Sequence, residues 1–338
     1  MKKKISIICP AYNSEKYISS TIKSILNQSF QDFEFIIIVD PSSDNTIQQI
    51  KKFKDKRILL IINKRRLGLA ASLNLGIKKS TCELIARVDS DDVYLKNRLK
   101  KQYDYMQKNP KIDLVGTNAI IQDGKDYKKL YQPLSNNLIK WAMNFRCPFL
   151  HPTIMIRKKI FTKYTFYPLK KYEDYHFYLK IIDKIKSANM SDFLCIIRKH
   201  ENNLSILKNN NDLKENAKIF REYIKNFYGN RLNGKMLEML IYGHSLSRNS
   251  KTIYKTILAL KIMRSKFIEK FPEERKTINI DVVLKIIIIC LKNKSFYNLF
   301  SNIIYFFRLD KFFFHHLFLK LFNRYILNKH NLVALNEK

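Results

Sequence analysis

Four short apolar runs, separated by longer amphipathic segments, constrain the fold of this chain more than any other feature. The runs are Ile5–Cys9, Phe33–Val39, Ile58–Ile62 and Leu84–Val88. Each is apolar at almost every position, which is typical of a strand buried on both faces. Strands of this kind that alternate with helices predict a mostly parallel sheet flanked by helices, so the expected fold class is α/β.

The segments between the runs carry apolar residues at helical spacing. Ile18, Ile22 and Ile25, for example, fall on one face of a helix. We predict helices over Glu15–Gln28, Ile47–Phe53, Leu67–Lys79, Tyr94–Met106 and Tyr172–Ile185. From about Asn209 onward the chain is helical by pattern, basic and rich in Phe and Tyr. We therefore expect two domains, residues 1–208 and 209–338.

Three short segments follow the predicted strands at the point where each strand ends. They occupy positions 10–13, 40–44 and 89–92. Ligands of parallel sheets bind beyond the carboxyl ends of the strands, so we expect these segments to line one binding edge. No G-x-G-x-x-G follows the first strand, and a dinucleotide-binding site is therefore not favoured.

Asp89, Asp91 and Asp92 place three carboxylates within four positions, where like charges repel. A helix cap explains one of them, and Asp92 is the candidate for that role. A hard divalent cation, Mn²⁺ or Mg²⁺, would remove the repulsion, because it binds carboxylates together with the phosphate oxygens of a substrate. The triplet therefore predicts a site for a metal and a diphosphate.

Five motifs occur in a fixed order between Ile5 and Ser205: CPAYNSEKYI, EFIIIVDPSSDNT, GLAASLNLGI, ARVDSDD and YEDYHFYLKI. Together they resemble the family 2 glycosyltransferases, which are inverting, metal-dependent enzymes with the A-type, Rossmann-like nucleotide-sugar fold. The resemblance implies hexosyl or N-acetylhexosaminyl transfer from a nucleotide-sugar donor, a UDP-sugar in the first instance, to a glycan or lipid-linked acceptor. Surface polysaccharide biosynthesis would be the setting.

The resemblance assigns six residues to the nucleotide, Asp89 of the acid triplet and five others. Pro10, Ala11 and Tyr12 would form the wall on which the base lies, Asp40 would accept a hydrogen bond from uracil, and Arg66 would contact the diphosphate. A turn aspartate and a solvated surface arginine are the structural alternatives for the last two.

Three positions depart from the family pattern. Val39 stands where many members have a first acid, Pro41 where they have glycine, and Leu73 where they have an arginine. These departures bear on the identity of the base and on one phosphate contact.

The same resemblance assigns the chemistry to acids. Asp89 would reach the ribose and, with Asp91, the metal, while Asp92 would assist. Asp174, preceded by Glu173, would be the catalytic base that takes a proton from the acceptor hydroxyl. Acids at a helix N-terminus are also favoured by the helix dipole, and both explanations can hold.

Three further residues are candidate donor or acceptor contacts. His151 stands in a His-Pro pair that resembles an acceptor-side loop, and Arg198 and His200 lie in a segment that resembles a loop closing on the donor. Histidines in such places are often structural.

Composition limits the partners. The net charge is +34, with 63 Lys and Arg against 29 Asp and Glu, and such a chain attracts polyanions. No zinc-finger or RNP-like motif supports nucleic acid, which leaves phosphorylated substrates and an anionic membrane surface. Five scattered cysteines and no signal segment lead us to expect the cytoplasm.

The basic C-terminal region has three candidate roles: a peripheral contact with the cytoplasmic face of a membrane, a cap on the catalytic domain, or an oligomer interface. A different class of function also stays open, a non-catalytic polyanion- or membrane-binding protein on a degenerate transferase fold. The charge and the departures at Val39 and Leu73 favour it. The complete set of acids at Asp89, Asp91 and Asp174 opposes it.

Overall fold

A computed structural model describes residues 3–166, 173–201, 203, 223–224, 235–236, 239–240, 250–302 and 305. The chain forms two compact units, Met1–Ile219 and Phe220–Lys338. The domain boundary at 208/209 falls outside the described residues and stays a prediction.

The first half of the sheet consists of four parallel strands. They are β1 (Ile5–Ala11), β2 (Phe33–Val39), β3 (Ile58–Ile62) and β4 (Leu84–Arg87), in the order β3-β2-β1-β4. All residues of β1, β2 and β4 are buried. The predicted run of strands and the α/β class are confirmed.

The second half of the sheet mixes directions. Its strands are β5 (Val93–Tyr94), β6 (Leu114–Asp123), β7 (Asp126–Leu130), β8 (Met155–Arg157) and β9 (Ser187–Lys199). The order continues β4-β8-β6-β9-β5, with β7 beside β6. Here β6 and β9 are parallel, whereas the other pairs are antiparallel. The sheet is therefore mixed, and its parallel pairs lie mainly in the first half.

The helices of this unit are α1 (Glu15–Leu26), α2 (Thr46–Lys51), α3 (Leu69–Lys79), α4 (Arg98–Lys108), α5 (Asn136–Ala142) and α6 (Glu173–Ile181). The prediction of a helix over Tyr94–Met106 is wrong at its start, because Tyr94 pairs in β5 with β9 and is buried. Gln28, predicted inside α1, lies beyond its end. Its side-chain oxygen accepts a hydrogen bond of 3.0 Å from the backbone N–H of Leu99, in the first turn of α4.

A glycine sets the packing of α3 on the sheet. A Cβ at Gly76 would lie 2.6 Å from Cγ2 of Ile8 and 2.7 Å from Cδ1 of Ile38. Both neighbours belong to β1 or its partner β2, so α3 approaches these strands more closely than any side chain at position 76 would allow. This contact explains the glycine in the LNLGI sequence.

The segments that follow β1, β2 and β4 meet at one edge, as predicted. The backbone N–H of Asp40 donates to the carbonyl of Ala11 over 3.1 Å. The hydroxyls of Ser14 and Ser90 are 2.7 Å apart. This edge carries the candidate site.

The second unit is helical where it is described, as expected. It contains α7 (Ser250–Lys270), α8 (Arg275–Lys292) and α9 (Phe296–Ser301). Apolar residues on one face of α7, such as Ile257 and Leu260, are buried, and so are Val282 and Ile286 of α8. Among the helices described, none combines the length and the hydropathy that crossing a bilayer requires.

Candidate active site

Three carboxylates meet directly beyond β4. Asp89, Asp91 and Asp92 each bring an oxygen into a group whose members all lie within 4.8 Å of one another. Asp92 is 1% exposed, and its Oδ2 has no hydrogen-bond partner among the described residues. Burial, and then the charge of Asp89, raises the pKa of Asp91 and Asp92. A cluster that resists ionisation in this way, with an orphaned oxygen, is one that a divalent cation would stabilise.

Asp92 does not cap a helix. It precedes β5, and α4 begins only at Arg98. Its Oδ1 accepts a 3.0 Å hydrogen bond from the backbone N–H of Arg198. The capping alternative is therefore wrong, and Asp92 belongs to the acid cluster.

Arg87 is a buried cation beneath the cluster, and sequence reasoning missed it. Its guanidinium forms an ion pair with Oδ2 of Asp89, and the residue is 4% exposed. Asp89 is also held by its backbone N–H, which donates to the hydroxyl of Tyr94 over 2.6 Å. The sequence signal was an arginine at the end of the otherwise apolar strand LIAR.

The end of β9 brings three polar side chains onto the cluster. His200 Nε2 lies 2.9 Å from Oδ2 of Asp91, and Nδ2 of Asn203 donates to the same oxygen over 3.2 Å. The guanidinium of Arg198 donates to the carbonyl of Asp91 over 3.1 Å. Arg198 and His200 therefore contact the acid cluster, and their role toward a donor or acceptor stays a prediction. Asn203 is a contact that the sequence did not suggest.

Helix α1 supports this arrangement. The rings of Tyr17 and His200 stack with centroids 4.6 Å apart. The hydroxyl of Thr21 donates to the carbonyl of Asp92 over 2.7 Å. Neither Tyr17 nor Thr21 stood out in the sequence, because both fit an ordinary helix.

Asp40 is buried rather than presented to a ligand. Its carboxylate accepts hydrogen bonds from the side chain of Asn63 (2.8 Å) and from the backbone N–H groups of Leu67 (3.1 Å) and Gly68 (2.8 Å). Asp40 thus anchors the loop that leads from β3 to α3, and its role toward uracil stays a prediction.

Of the three residues predicted to form the nucleobase wall, Tyr12 alone has an exposed side chain, and the wall itself stays a prediction. Pro10 and Ala11 belong to β1 and are buried, whereas Tyr12 is 38% exposed. Cζ of Arg66 lies 4.0 Å from the centroid of the Tyr12 ring. Arg66 is therefore packed on the Tyr12 ring rather than simply solvated, and its contact with a diphosphate stays a prediction.

The second group of acids stands at the start of α6. Glu173 is buried, and burial followed by the charge of Asp174 raises its pKa to about 8. Burial also raises the pKa of Asp174, whose Oδ1 accepts a 2.7 Å hydrogen bond from the backbone N–H of Tyr175. Arg87 lowers and Asp89 raises the pKa of both acids, so this pair lies within electrostatic reach of the cluster beyond β4.

His151 contacts the helix that carries the acid pair. Its Nδ1 lies 2.7 Å from the hydroxyl of Tyr178 on α6, and its Nε2 has no partner among the described residues. Burial, and then the charge of Arg87, holds its pKa well below the usual value. His151 is thus a buried neutral imidazole that is placed to hold α6. It does not lie in an exposed loop.

Comparison with known proteins identifies the family of this chain. The family model described as "Glycosyl transferase family 2" matches residues 6–199. The Escherichia coli protein UDP-Glc:alpha-D-GlcNAc-diphosphoundecaprenol beta-1,3-glucosyltransferase WfgD is 30% identical over 226 residues, which cover 66% of this chain and 87% of that protein. The Escherichia coli O-antigen biosynthesis glycosyltransferase WbnJ is 36% identical over 204 residues, 58% of this chain and 80% of WbnJ.

Solved structures share the fold. TarS of S. aureus, in complex with UDP-GlcNAc, has a TM-score of 0.59 at 21% identity, covering 87% of this chain and 89% of that one. The mannosyltransferase PcManGT from Pyrobaculum calidifontis, in complex with GDP-Man and Mn²⁺, has a TM-score of 0.52 at 13% identity, covering 87% of both chains. With the ordered motifs, the acid cluster and these matches, the chain belongs to the family 2 glycosyltransferases and is a glycosyltransferase.

Proposed function

We propose that this enzyme transfers one sugar, with inversion, from a UDP-sugar to a glycan or lipid-linked acceptor during assembly of a surface polysaccharide. One observation carries the proposal: the acid cluster beyond β4 and the acid pair of α6 lie within electrostatic reach of each other. The names of two relatives support the substrates, since one includes UDP-Glc and a diphosphoundecaprenol acceptor and the other refers to O-antigen biosynthesis.

The donor end of the reaction belongs to the acid cluster. Asp91 and Asp89, with Asp92 beside them, would hold Mn²⁺ or Mg²⁺, and their three oxygens suit such hard cations. Bound there, the cation would supply Lewis-acid stabilisation of the departing nucleotide diphosphate. Arg198 brings one further positive charge to the same place, because its guanidinium contacts Asp91.

The acceptor end belongs to Asp174. It takes the proton of the acceptor hydroxyl while that oxygen forms a bond to the anomeric carbon from the side opposite the leaving group. The bond from the anomeric carbon to the diphosphate oxygen breaks, and its electron pair leaves with the diphosphate. The configuration at the anomeric carbon is thereby inverted.

The two acids of α6 take different roles because their environments differ. Glu173 is 6% exposed and, with a pKa of about 8, keeps its proton at neutral pH. Asp174 is half-buried, and its raised pKa makes its carboxylate a stronger base than that of an ordinary aspartate. With Glu173 neutral, Asp174 would be the proton acceptor of the pair.

Thermal unfolding of the full chain with UDP or GDP, with and without Mn²⁺, tests the proposal. Stabilisation that needs both nucleotide and metal supports the transferase with a metal-bound donor. No stabilisation by either nucleotide at millimolar concentration would contradict it and favour the non-catalytic polyanion binder. If the stabilisation is observed, a screen of nucleotide sugars for slow hydrolysis, detected as released nucleoside diphosphate, would identify the donor.

We also propose that the C-terminal unit binds the anionic cytoplasmic face of a membrane. Tyr254 and Leu258 lie one turn apart on α7 and are 57% and 44% exposed, and exposed Lys251 and Lys255 stand beside them. An apolar stripe bordered by lysines suits an anionic lipid surface. We expect the protein to co-sediment with anionic but not with zwitterionic vesicles. Salt should weaken this binding, and so should the double variant Tyr254→Ser with Leu258→Ser. Equal recovery with both kinds of vesicle would contradict it.

A further inference from the structure

The loop of residues 63–68, between β3 and α3, engages Asp40 and Tyr12, two of the side chains that the resemblance assigned to the nucleobase. Asp40 accepts hydrogen bonds from Asn63, Leu67 and Gly68 of this loop, at 2.8 to 3.1 Å. Arg66, from the same loop, covers the ring of Tyr12. Two independent contacts therefore place this one loop over the nucleobase end of the site.

The contact between Arg66 and Tyr12 leaves no space for a base on the ring face that Arg66 covers. A distance of 4.0 Å from the guanidinium carbon to the ring centroid is direct van der Waals contact. A planar guanidinium on an aromatic face also has the shape and the stacking mode of a nucleobase on that face. A base can stack on this side of Tyr12 only after Arg66 has left it.

The loop backbone is fixed while the Arg66 side chain is exposed. The Asp40 carboxylate holds the N–H groups of Leu67 and Gly68, and Gly68 has a φ of 84°, which favours glycine. Arg66 itself is exposed to solvent. The part that can move at little cost is therefore the Arg66 side chain and not the loop.

We propose that the Arg66 guanidinium occupies the nucleobase position on Tyr12 in the free enzyme and exchanges with the base when the donor binds. This inference rests on the proposed function, because it needs a nucleotide donor. Arg66 then lowers the affinity for every nucleoside, because each base must displace the cation–π contact before it can stack. Donors whose other groups make up for this lost binding free energy are favoured.

Arg65 offers a matched control, since it is the adjacent exposed arginine and its replacement removes the same charge. The affinity of the full chain for uridine, which lacks phosphates, is measured by ligand-observed NMR titration, with guanosine in parallel. We expect Arg66→Ala to bind the preferred nucleoside about 2- to 5-fold more tightly than Arg65→Ala, the range for an exposed cation–π contact. In a Tyr12→Leu background, the difference between the two alanine variants should vanish.

Equal or weaker nucleoside binding by Arg66→Ala relative to Arg65→Ala would overturn the exchange. So would a difference of the same size in the Tyr12→Leu background. If the unaltered chain binds UDP or GDP with Mn²⁺ in those cases, the proposed function stands without the inference. If it binds neither nucleotide, both fail.

Discussion

His200 Nε2 lies 2.9 Å from Oδ2 of Asp91, although 109 positions separate the two residues in the chain. Asn203 donates to the same oxygen over 3.2 Å, and the ring of Tyr17 stacks on His200. The candidate site around the acid cluster is therefore not complete at the end of β4. It requires the segment after β9, which the parallel pairing of β6 with β9 carries to this edge of the sheet.

Replacement of Asp91 tests the metal site. Asp91→Asn should lose the stabilisation that nucleotide and Mn²⁺ together give, because one of three clustered carboxylates is removed. For the unaltered chain, a ligand at 100 times its Kd stabilises by about 2.7 kcal/mol. Thermal unfolding with UDP, with and without Mn²⁺, measures the difference. Asp104→Asn, an acid on α4 that pairs with Lys100, is the control. A full metal-dependent shift in Asp91→Asn would rule out the assignment.

Replacement of Asp174 separates chemistry from donor binding. Asp174→Asn should lower kcat by about 100-fold or more, because the amide cannot take the acceptor proton. Its nucleotide- and metal-dependent thermal shift should match that of the unaltered chain. Asp183→Asn is the control, an acid just beyond α6 that pairs with Lys140. Loss of donor binding in Asp174→Asn equal to that in Asp91→Asn would argue against separate roles.

The raised pKa of Glu173 makes stability depend on pH in a defined direction. The folded chain holds this proton up to about pH 8, whereas the unfolded chain releases it near 4.5. Between these values the folded state binds more protons, so this group makes the free energy of unfolding fall as the pH rises. Each unit of pKa difference corresponds to about 1.4 kcal/mol.

Glu173→Gln should remove this dependence and be more stable than the unaltered chain at pH 8. Urea unfolding at pH 5, 6.5 and 8 measures it. An unchanged slope of stability against pH in the variant would show that Glu173 is ionised in the folded state.

The lowered pKa of His151 should make the free energy of unfolding depend on pH in the opposite direction to that of Glu173. The pKa of His151 in the folded state lies well below 6.5. Below pH 6.5 the unfolded chain therefore binds a proton that the folded chain does not bind. Stability from this group is therefore complete above pH 6.5 and is lost as the pH falls. His151→Phe should flatten that loss between pH 7 and 5, at a cost of about 1 kcal/mol at pH 7 for the hydrogen bond to Tyr178.

Tyr178→Phe removes the same hydrogen bond and keeps the histidine, so it should retain the loss at low pH. Denaturant unfolding at several pH values compares the three proteins. Parallel curves for His151→Phe and Tyr178→Phe would mean that His151 does not cause the acid sensitivity.

Local pattern was enough to predict the first four strands, the helices between them and the position of the acid cluster. Each of these depends on residues close together in the chain, such as the continuous apolar run of β2. The same pattern failed at Tyr94, because its strand exists only by pairing with β9, about a hundred residues later.

The site shows the same limit. Asp40 and Arg66 were assigned to the nucleotide from their motifs, and nothing near them in sequence reveals that Asp40 holds the 63–68 loop or that Arg66 lies on Tyr12. Arg87 was missed because an arginine next to an acidic motif looks like any surface charge. Only its burial beside Asp89 reveals it as an internal cation.

Arg87 has a consequence for how this enzyme can change during evolution. One buried positive charge pairs with Asp89 of the acid cluster and at the same time lowers the proton affinity of Asp174, the proposed base. Mutations of Asp89 and of Asp174 will therefore show epistasis, even though the two side chains are proposed to have different roles. A lineage that altered Asp89 to accept another donor would also have to readjust the strength of its base.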